Sequence, residues 1–279
     1  VDFWNTALQM TVYPLLGILV VWLVKLADDW RSPFDDNKAM LLEGNVALGL
    51  RKSGTCLGLF LALAGVLSGR SQSIQADLLN FLQATIMIVI FLFITFEIND
   101  RIILRKVNND TAVANGNLAV GVVEFSTFVG TGIIMNGAFS GEGGGLWAAA
   151  VFFILGQAAL VVAFYLDVAI SRRNIQEEIE VKGNLAEGFD MAGILIAISI
   201  ILRAGIIGPF TGWIPGLEGF GIDLVLGLAA LFVFKALARR IFVPRVSYAE
   251  EMDKRHNEAV AILAACIQIS VALFIANSM

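Results

Sequence analysis

Histidine occurs once in this chain of 279 residues, cysteine twice and proline five times. A single histidine, His256, cannot supply bis-histidine haem ligation or a three-histidine zinc site, and two separate cysteines cannot hold an iron–sulfur cluster. Cys56 and Cys266 lie inside apolar runs with no spacing that pairs them, so each is read as a small hydrophobe and no disulfide framework is expected. No Gly-rich phosphate loop of the P-loop type is present, so a pump driven directly by nucleotide would need another subunit. No nucleophile has a base at hand; Ser53 and Thr55 near Lys52 are too little for a Ser–Lys hydrolase. The expectation is therefore no enzyme, no cofactor, no metal and no nucleic-acid partner. Charge is scarce too: Asp, Glu, Lys and Arg make up 15% of the chain, where a soluble domain carries about 25%.

Hydrophobic residues make up 58%, and the mean hydropathy is +0.80. Eight apolar runs, near 7–27, 46–68, 78–98, 117–139, 146–168, 185–207, 221–241 and 258–277, are long enough to cross about 30 Å of hydrocarbon as helices. They are continuously apolar, without the alternation of a membrane barrel, so helices are expected. No cleavable signal is expected, because the first run is long and no basic stretch precedes it. All but two of the 19 Lys and Arg fall in or beside four of the loops; the exceptions are Arg70 and Arg203. The positive-inside rule then puts those four loops in the cytoplasm and both termini outside. Trp4, Trp147 and Trp213 at outer helix ends, and Trp22 and Trp30 near an inner end, suit the headgroup layer. The Gly- and Pro-rich outer loops around 141–145 and 208–216 are read as surface loops, with a re-entrant turn as the alternative for the second.

One pattern recurs four times, each time where an apolar run begins: Asn45-Val46-Ala47-Leu48-Gly49, Asn117-Leu118-Ala119-Val120-Gly121, Asn184-Leu185-Ala186-Glu187-Gly188 and Asn257-Glu258-Ala259-Val260-Ala261. Gly44, Gly116 and Gly183 precede the first three, and His256 takes that place in the fourth. The near-even spacing makes the chain four copies of one helical hairpin. Each copy holds two spans, so all four insert the same way, as parallel and not inverted repeats. The fold class is thus an all-α polytopic membrane protein of eight transmembrane helices, N-out and C-out, with a first half at 1–140 and a second at 141–279. Asparagine at a helix start can accept from orphan N–H groups, and the small residue four positions on lets helices approach in lipid. A cap with a packing stripe is one reading of the motif; a ligand-binding ring of Asn45, Asn117, Asn184 and Asn257 is the other.

Where the copies differ, function is sought. Six residues past the asparagines stand Arg51, Val123, Asp190 and Leu263; seven past stand Lys52, Glu124, Met191 and Ala264. At 1.5 Å per residue these lie about 9–10 Å along the helix, where ionisable groups need partners or a watery cavity. Glu187 shares the face of Asp190. Arg51, Lys52, Glu124, Glu187 and Asp190 are therefore read as one intramembrane charge cluster, either an ion or proton pathway or an ion-pair network that fixes helix register, with Glu124 the favoured residue. Arg203 is read as snorkelling, Gln83, Gln157 and Gln268 as interhelical glue, and His256 as a surface histidine.

The Asn-x-Ala-x-Gly start after a short charged loop, at Glu43–Gly49, Asn115–Gly121, Lys182–Gly188 and Arg255–Ala261, resembles the bacterial family called domain of unknown function 350 (the YjfL family). The fourth copy departs at His256 and Ala261. The resemblance implies two modules in tandem, a multi-pass protein of the bacterial inner membrane, no known cofactor and action beside partner proteins. It brings no catalytic residues. Two function classes follow: a small cation or proton channel or transporter subunit using the charge cluster, or an accessory scaffold subunit whose charged loops dock a cytoplasmic or membrane partner. Substrate, oligomeric state and partner are not written in the chain.

Overall fold

The computed structural model describes residues 3–32, 34–68, 74–141, 143–171, 174–244 and 247–279, so Arg70, Glu142, Arg172, Arg173 and Arg245, and the side chain of Trp4, lie outside the described part. Eight long helices carry the apolar runs: α1 (Phe3–Arg31), α3 (Val46–Val66), α4 (Ile74–Ile98), α6 (Leu118–Phe139), α7 (Gly145–Ser171), α8 (Leu185–Ile206), α9 (Trp213–Phe242) and α11 (Glu258–Ala276). All eight are long and apolar enough to cross a membrane. Among the described residues there is no strand.

The charged loops are not plain connections. Each folds into a short helical segment just before its asparagine: α2 (Asp36–Leu41), α5 (Asn109–Ala114), a π-helical turn at Glu177–Val181, and α10 (Tyr248–Asp253). A second π-helical turn, Asn99–Ile103, ends α4. The helix α9 begins at Trp213, earlier than the expected 221, and takes in Pro215. Proline is tolerated there because first-turn N–H groups have no intrahelical partner.

All four motif asparagines are N-caps. Each has extended backbone, and each side-chain oxygen accepts from the N–H three residues on, at Leu48, Val120, Glu187 and Val260. The preceding residue turns left-handed: Gly44 at φ 67°, Gly116 at 81°, Gly183 at 66°, and His256 at 47°. Glycine holds that conformation without a Cβ penalty, and His256 holds it at some cost in strain.

The amide nitrogen of each asparagine links one repeat to the next. Asn45 Nδ2 donates to the carbonyls of Val113 (2.8 Å) and Ala114 (3.0 Å) at the end of α5. Asn117 Nδ2 donates to those of Ile179 (3.1 Å) and Glu180 (3.3 Å), and Asn184 Nδ2 to that of Met252 (3.0 Å). Asn257, the last of the four, donates to Glu251 of its own loop at 2.7 Å. The same side chain thus starts a helix and ties down the loop of its neighbour.

These links place the four asparagine helices side by side in the order α3, α6, α8, α11. The close approaches rise together along both partners, so consecutive helices are parallel. A Cβ on Gly121 would lie 2.8 Å from the Cα of Ala47, one on Gly54 would lie 2.5 Å from that of Phe125, and one on Gly65 would lie 2.5 Å from the carbonyl oxygen of Asn136. The motif explains itself here. The alanine two past one asparagine abuts the small residue four past the next: Ala47 with Gly121, Ala119 with Gly188, and Ala186 in one cluster with Ala261. Lipid tails are as apolar as leucine, so such dispersion contacts, and not hydrophobic transfer, hold helices together in a bilayer. The flanking helices α4, α7 and α9 lie across the grooves between consecutive members of the row, while α1 leans on α3 at its open end.

Two outcomes follow. Gly58→Val drives a side chain into the backbone of Phe128 and lowers the melting temperature in detergent sharply, whereas Gly49→Ala, with nothing within 4 Å, leaves it unchanged. Asn117→Ala removes a cap and the amide shared between the carbonyls of Ile179 and Glu180, a loss of about 2 kcal/mol by the usual size of a cap and a hydrogen bond, read as a lower unfolding midpoint.

Candidate functional site

Glu124 lies within α6 and is 0% exposed. Its Oε1 accepts from Asn99 Nδ2 at 3.2 Å, and its Oε2 faces Arg51 Nε at 3.6 Å, a charge contact longer than a hydrogen bond. Arg51 is turned to two acids at once, because its Nη1 also donates to Asp110 Oδ1 of α5 at 2.6 Å. Arg31 of α1 approaches the same Asp110 at 3.6 Å. Both guanidinium groups lie over the ring of Phe96, at 4.7 Å for Arg31 and 5.4 Å for Arg51. The π-helical turn that ends α4 is what aims Asn99 at the carboxylate.

Lys52 is one residue from Arg51 but points elsewhere, since neighbours on a helix are turned about 100° apart. It reaches α1 and the loop, contacting Asp28 at 2.6 Å, Asp29 at 3.0 Å and Asp36 more closely still. In the second half, Asp190 Oδ1 accepts from Arg239 of α9 at 2.6 Å and from Gln268 of α11 at 2.5 Å. Arg239 stacks over Tyr248 at 4.0 Å. Beside them Lys235 and Asp167 form a buried pair at 2.6 Å between α9 and α7. Glu187 is buried in the first turn of α8, where its N–H is capped by Asn184.

The expected single cluster of five is therefore divided. Arg51 and Glu124 meet, Lys52 sits among three aspartates beside α1 and is joined to Arg51 through Asp28, Arg31 and Asp110, and Asp190 pairs with Arg239 and Gln268 in the other half. The row of helices is the reason: each asparagine helix faces the flanking helices next to it, so one level along the axis serves several separate sites. The asparagines likewise form no ring. They follow the row, each amide engaged by protein at both ends.

Asp28 and Asp167, Asp110, Asn99, Lys235 and Arg239 were not singled out by sequence reasoning. A signal existed for the first two, since both stand seventeen residues before their asparagines (28 to 45, 167 to 184). Among the lesser expectations, that for Gln83 changes. Arg203 is half-buried; its Nε donates to Asn136 Oδ1 at 2.7 Å, and Asn136 Nδ2 in turn donates to the carbonyl of Leu61, joining α8, α6 and α3. Gln157 donates to Thr131 and Gln268 to Asp190, but Gln83 is exposed. His256 is exposed, as expected.

Outside the spans, the loop before Asn184 carries two buried acids. Burial pushes the Glu178 carboxyl up, but hydrogen bonds from Lys182 and Asn184 outweigh it and hold it below the usual glutamate range. For Glu180 burial prevails and the carboxyl is raised, although its Oε2 accepts the N–H groups of Lys106 and Val107. Both acids brace the loop on which Asn117 closes.

A cavity of about 690 Å³ opens between α1, α2 and α3. Lys52, Asp28, Asp29 and Asp36 sit at its polar end, and Val21, Leu57 and Phe60 are among its apolar walls. Neither Arg51 nor Glu124 lines it. Among the described residues, no group of three or more His, Cys, Asp or Glu is placed to hold a metal ion.

Comparison with known proteins agrees with this repeated, all-helical membrane architecture. A UPF0719 transmembrane protein of Aquifex aeolicus (strain VF5) is 23% identical over 225 residues, covering 79% of this chain and 81% of that one. No solved structure matches. The model of the family described as Domain of Unknown Function (DUF350) matches twice in tandem, over residues 2–139 and 142–279, and the chain belongs to that family.

Proposed function

We propose that the protein is a non-conducting accessory or scaffold subunit of the bacterial inner membrane. In this reading the buried charges lock helix register, and the charged loop side faces the cytoplasm and docks a partner. One observation carries it: Arg51, Glu124, Asp110, Lys52, Asp190 and Arg239 are matched within the protein, and the cavity beside them ends at Lys52 without reaching Glu124. A conducting path would need those charges to face a continuous watery passage. The loop side offers a partner both signs of charge at its surface, with Lys38, Glu43, Lys254 and Arg255 among them. The concentration of Lys and Arg in those loops supports the cytoplasmic orientation.

A second reading, proton or cation passage through Glu124, has one observation in its favour. Its Oε2 and the Nε of Arg51 are both buried without a hydrogen bond, so the carboxylate has an oxygen free to take a proton.

Flux assays separate the two. Liposomes carrying the purified protein are expected to pass protons, Na+ and K+ no faster than empty ones. Flux that Glu124→Gln abolishes with folding intact would replace the scaffold reading by the second. The lock itself is tested by Arg51→Ala, which strands Glu124 as a buried charge and leaves Asp110 only Arg31. Breaking a buried pair in this way costs about 3–5 kcal/mol, so the unfolding midpoint in detergent falls steeply. An unchanged midpoint would remove the structural role.

A further inference from the structure

The row of asparagine helices has two unlike ends, and each presents a face that the three internal joints use. Inside the chain, α6 meets α3 through Gly121, Phe125, Phe128 and Gly132, which stand 4, 8, 11 and 15 residues past Asn117. The same four positions past Asn45 are Gly49, Ser53, Cys56 and Phe60. Among the described residues no asparagine helix covers them, and all four line the 690 Å³ cavity. At the other end, α3 meets α6 through Ala47, Gly54 and Gly58, which stand 2, 9 and 13 residues past Asn45. The equivalents on α11 are Ala259, Cys266 and Ser270, all small and all exposed.

We infer that the row continues between molecules, with α11 of one copy seated head to tail against α3 of a second copy. The occupant follows from continuity with the internal joints, since α11 carries at its bare face the residue sizes that fit a face like that of α3. The flanking helices say the same. The helices α4, α7 and α9 each touch two asparagine helices, whereas α1 leans on α3 beside the cavity. A neighbouring α11 in the cavity would give α1 its second wall. The caps say it too. Asn257 turns its amide onto its own Glu251, as Asn184 does onto Glu178, but Asn184 and the two earlier asparagines also reach the loop of a following repeat. In a second copy that loop segment is residues 40–42, and Leu41 and Leu42 there are 71% and 80% exposed.

Phe60 sets the shape of the joint. Its position holds Gly132, Ser199 or Ala272 in the other repeats, but its ring lies over Gly17 of α1, 2.9 Å from where a Cβ on that glycine would stand. The joint is therefore tight at Gly49 and wider at Phe60. A head-to-tail contact of this kind closes into a ring or runs on as a filament. The inference uses only the faces of α3 and α11 and is independent of what the charged groups do.

Disulfide trapping in membranes tests it. Gly49→Cys and Ala259→Cys, together in a Cys56→Ser, Cys266→Ser background, put thiols where Gly121 and Ala47 meet inside the chain, close enough for a disulfide. Oxidation is expected to shift the monomer band on a non-reducing gel into dimer, trimer and higher species, while neither single cysteine gives more than monomer. A control pair on other lipid-facing helices, Leu79→Cys with Ile154→Cys, stays monomeric. No ladder from the Gly49/Ala259 pair, a ladder of equal yield from the control, or dimer from Ala259→Cys alone would each overturn the inference. Both positions face open space, so folding is preserved, and native mass measurement covers the same ground without cysteines. Wild-type protein in lipid nanodiscs is expected as an oligomer that Cys266→Trp reduces to monomer; a monomeric wild type would overturn the inference equally.

Discussion

Backbone-to-backbone approach along one row of parallel helices is the constraint on which the rest of the protein depends. Where α6 lies on α3, no Cβ fits at Gly54, Gly58, Gly65, Gly121 or Gly132. In a bilayer, apolar side chains gain nothing by leaving lipid for protein, so contact distance decides whether two helices associate. Small residues at fixed offsets from each asparagine set that distance. The asparagine sets the axial register, because its side chain caps one helix and holds the loop of the next. Cap and stripe are thus two parts of one joint, made three times within the chain.

The buried charges follow from this frame. Once the helices are in register, residues six and seven past the asparagines fall at one depth, and each is offered to whichever flanking helix or loop segment lies on its side. Arg51 finds Glu124 and Asp110; Lys52 finds Asp28, Asp29 and Asp36; Asp190 finds Arg239 and Gln268. Isolated, each would cost several kcal/mol to desolvate. Matched, they make wrong registers far more costly than the right one, which is a specificity argument more than a stability one. The two halves solve the problem with opposite signs: a base six past the asparagine in the first, an acid in the second, with the counter-charge moved to a loop helix or to α9.

Much of the architecture was readable in advance. The eight apolar runs carry their own length criterion, and helices need no distant partner to satisfy their backbones, so composition and run length suffice for the fold class. The N-cap role of the four asparagines was equally local, being chemistry within four residues. The grouping of charges was not. Position past the asparagine gives depth, but the partner of Lys52 lies on α1 and that of Asp190 on α9, contacts that periodicity along a single helix does not encode. Arg203 illustrates the same limit: its place near a helix end is local, but the Asn136 of α6 that accepts its Nε–H is not.

What each segment is can be read along the chain: eight helices, four capped starts, small residues in register and charges at a common depth. These are properties of short stretches, fixed by propensity, capping and hydropathy. Tertiary structure alone decided which helices touch, which charges pair and which two faces of the row are left bare. Those depend on the order in which repeats lie side by side, and identical motifs are compatible with a ring as well as with a row. Only the packed chain leaves Gly49 uncovered at one end and Ala259 exposed at the other.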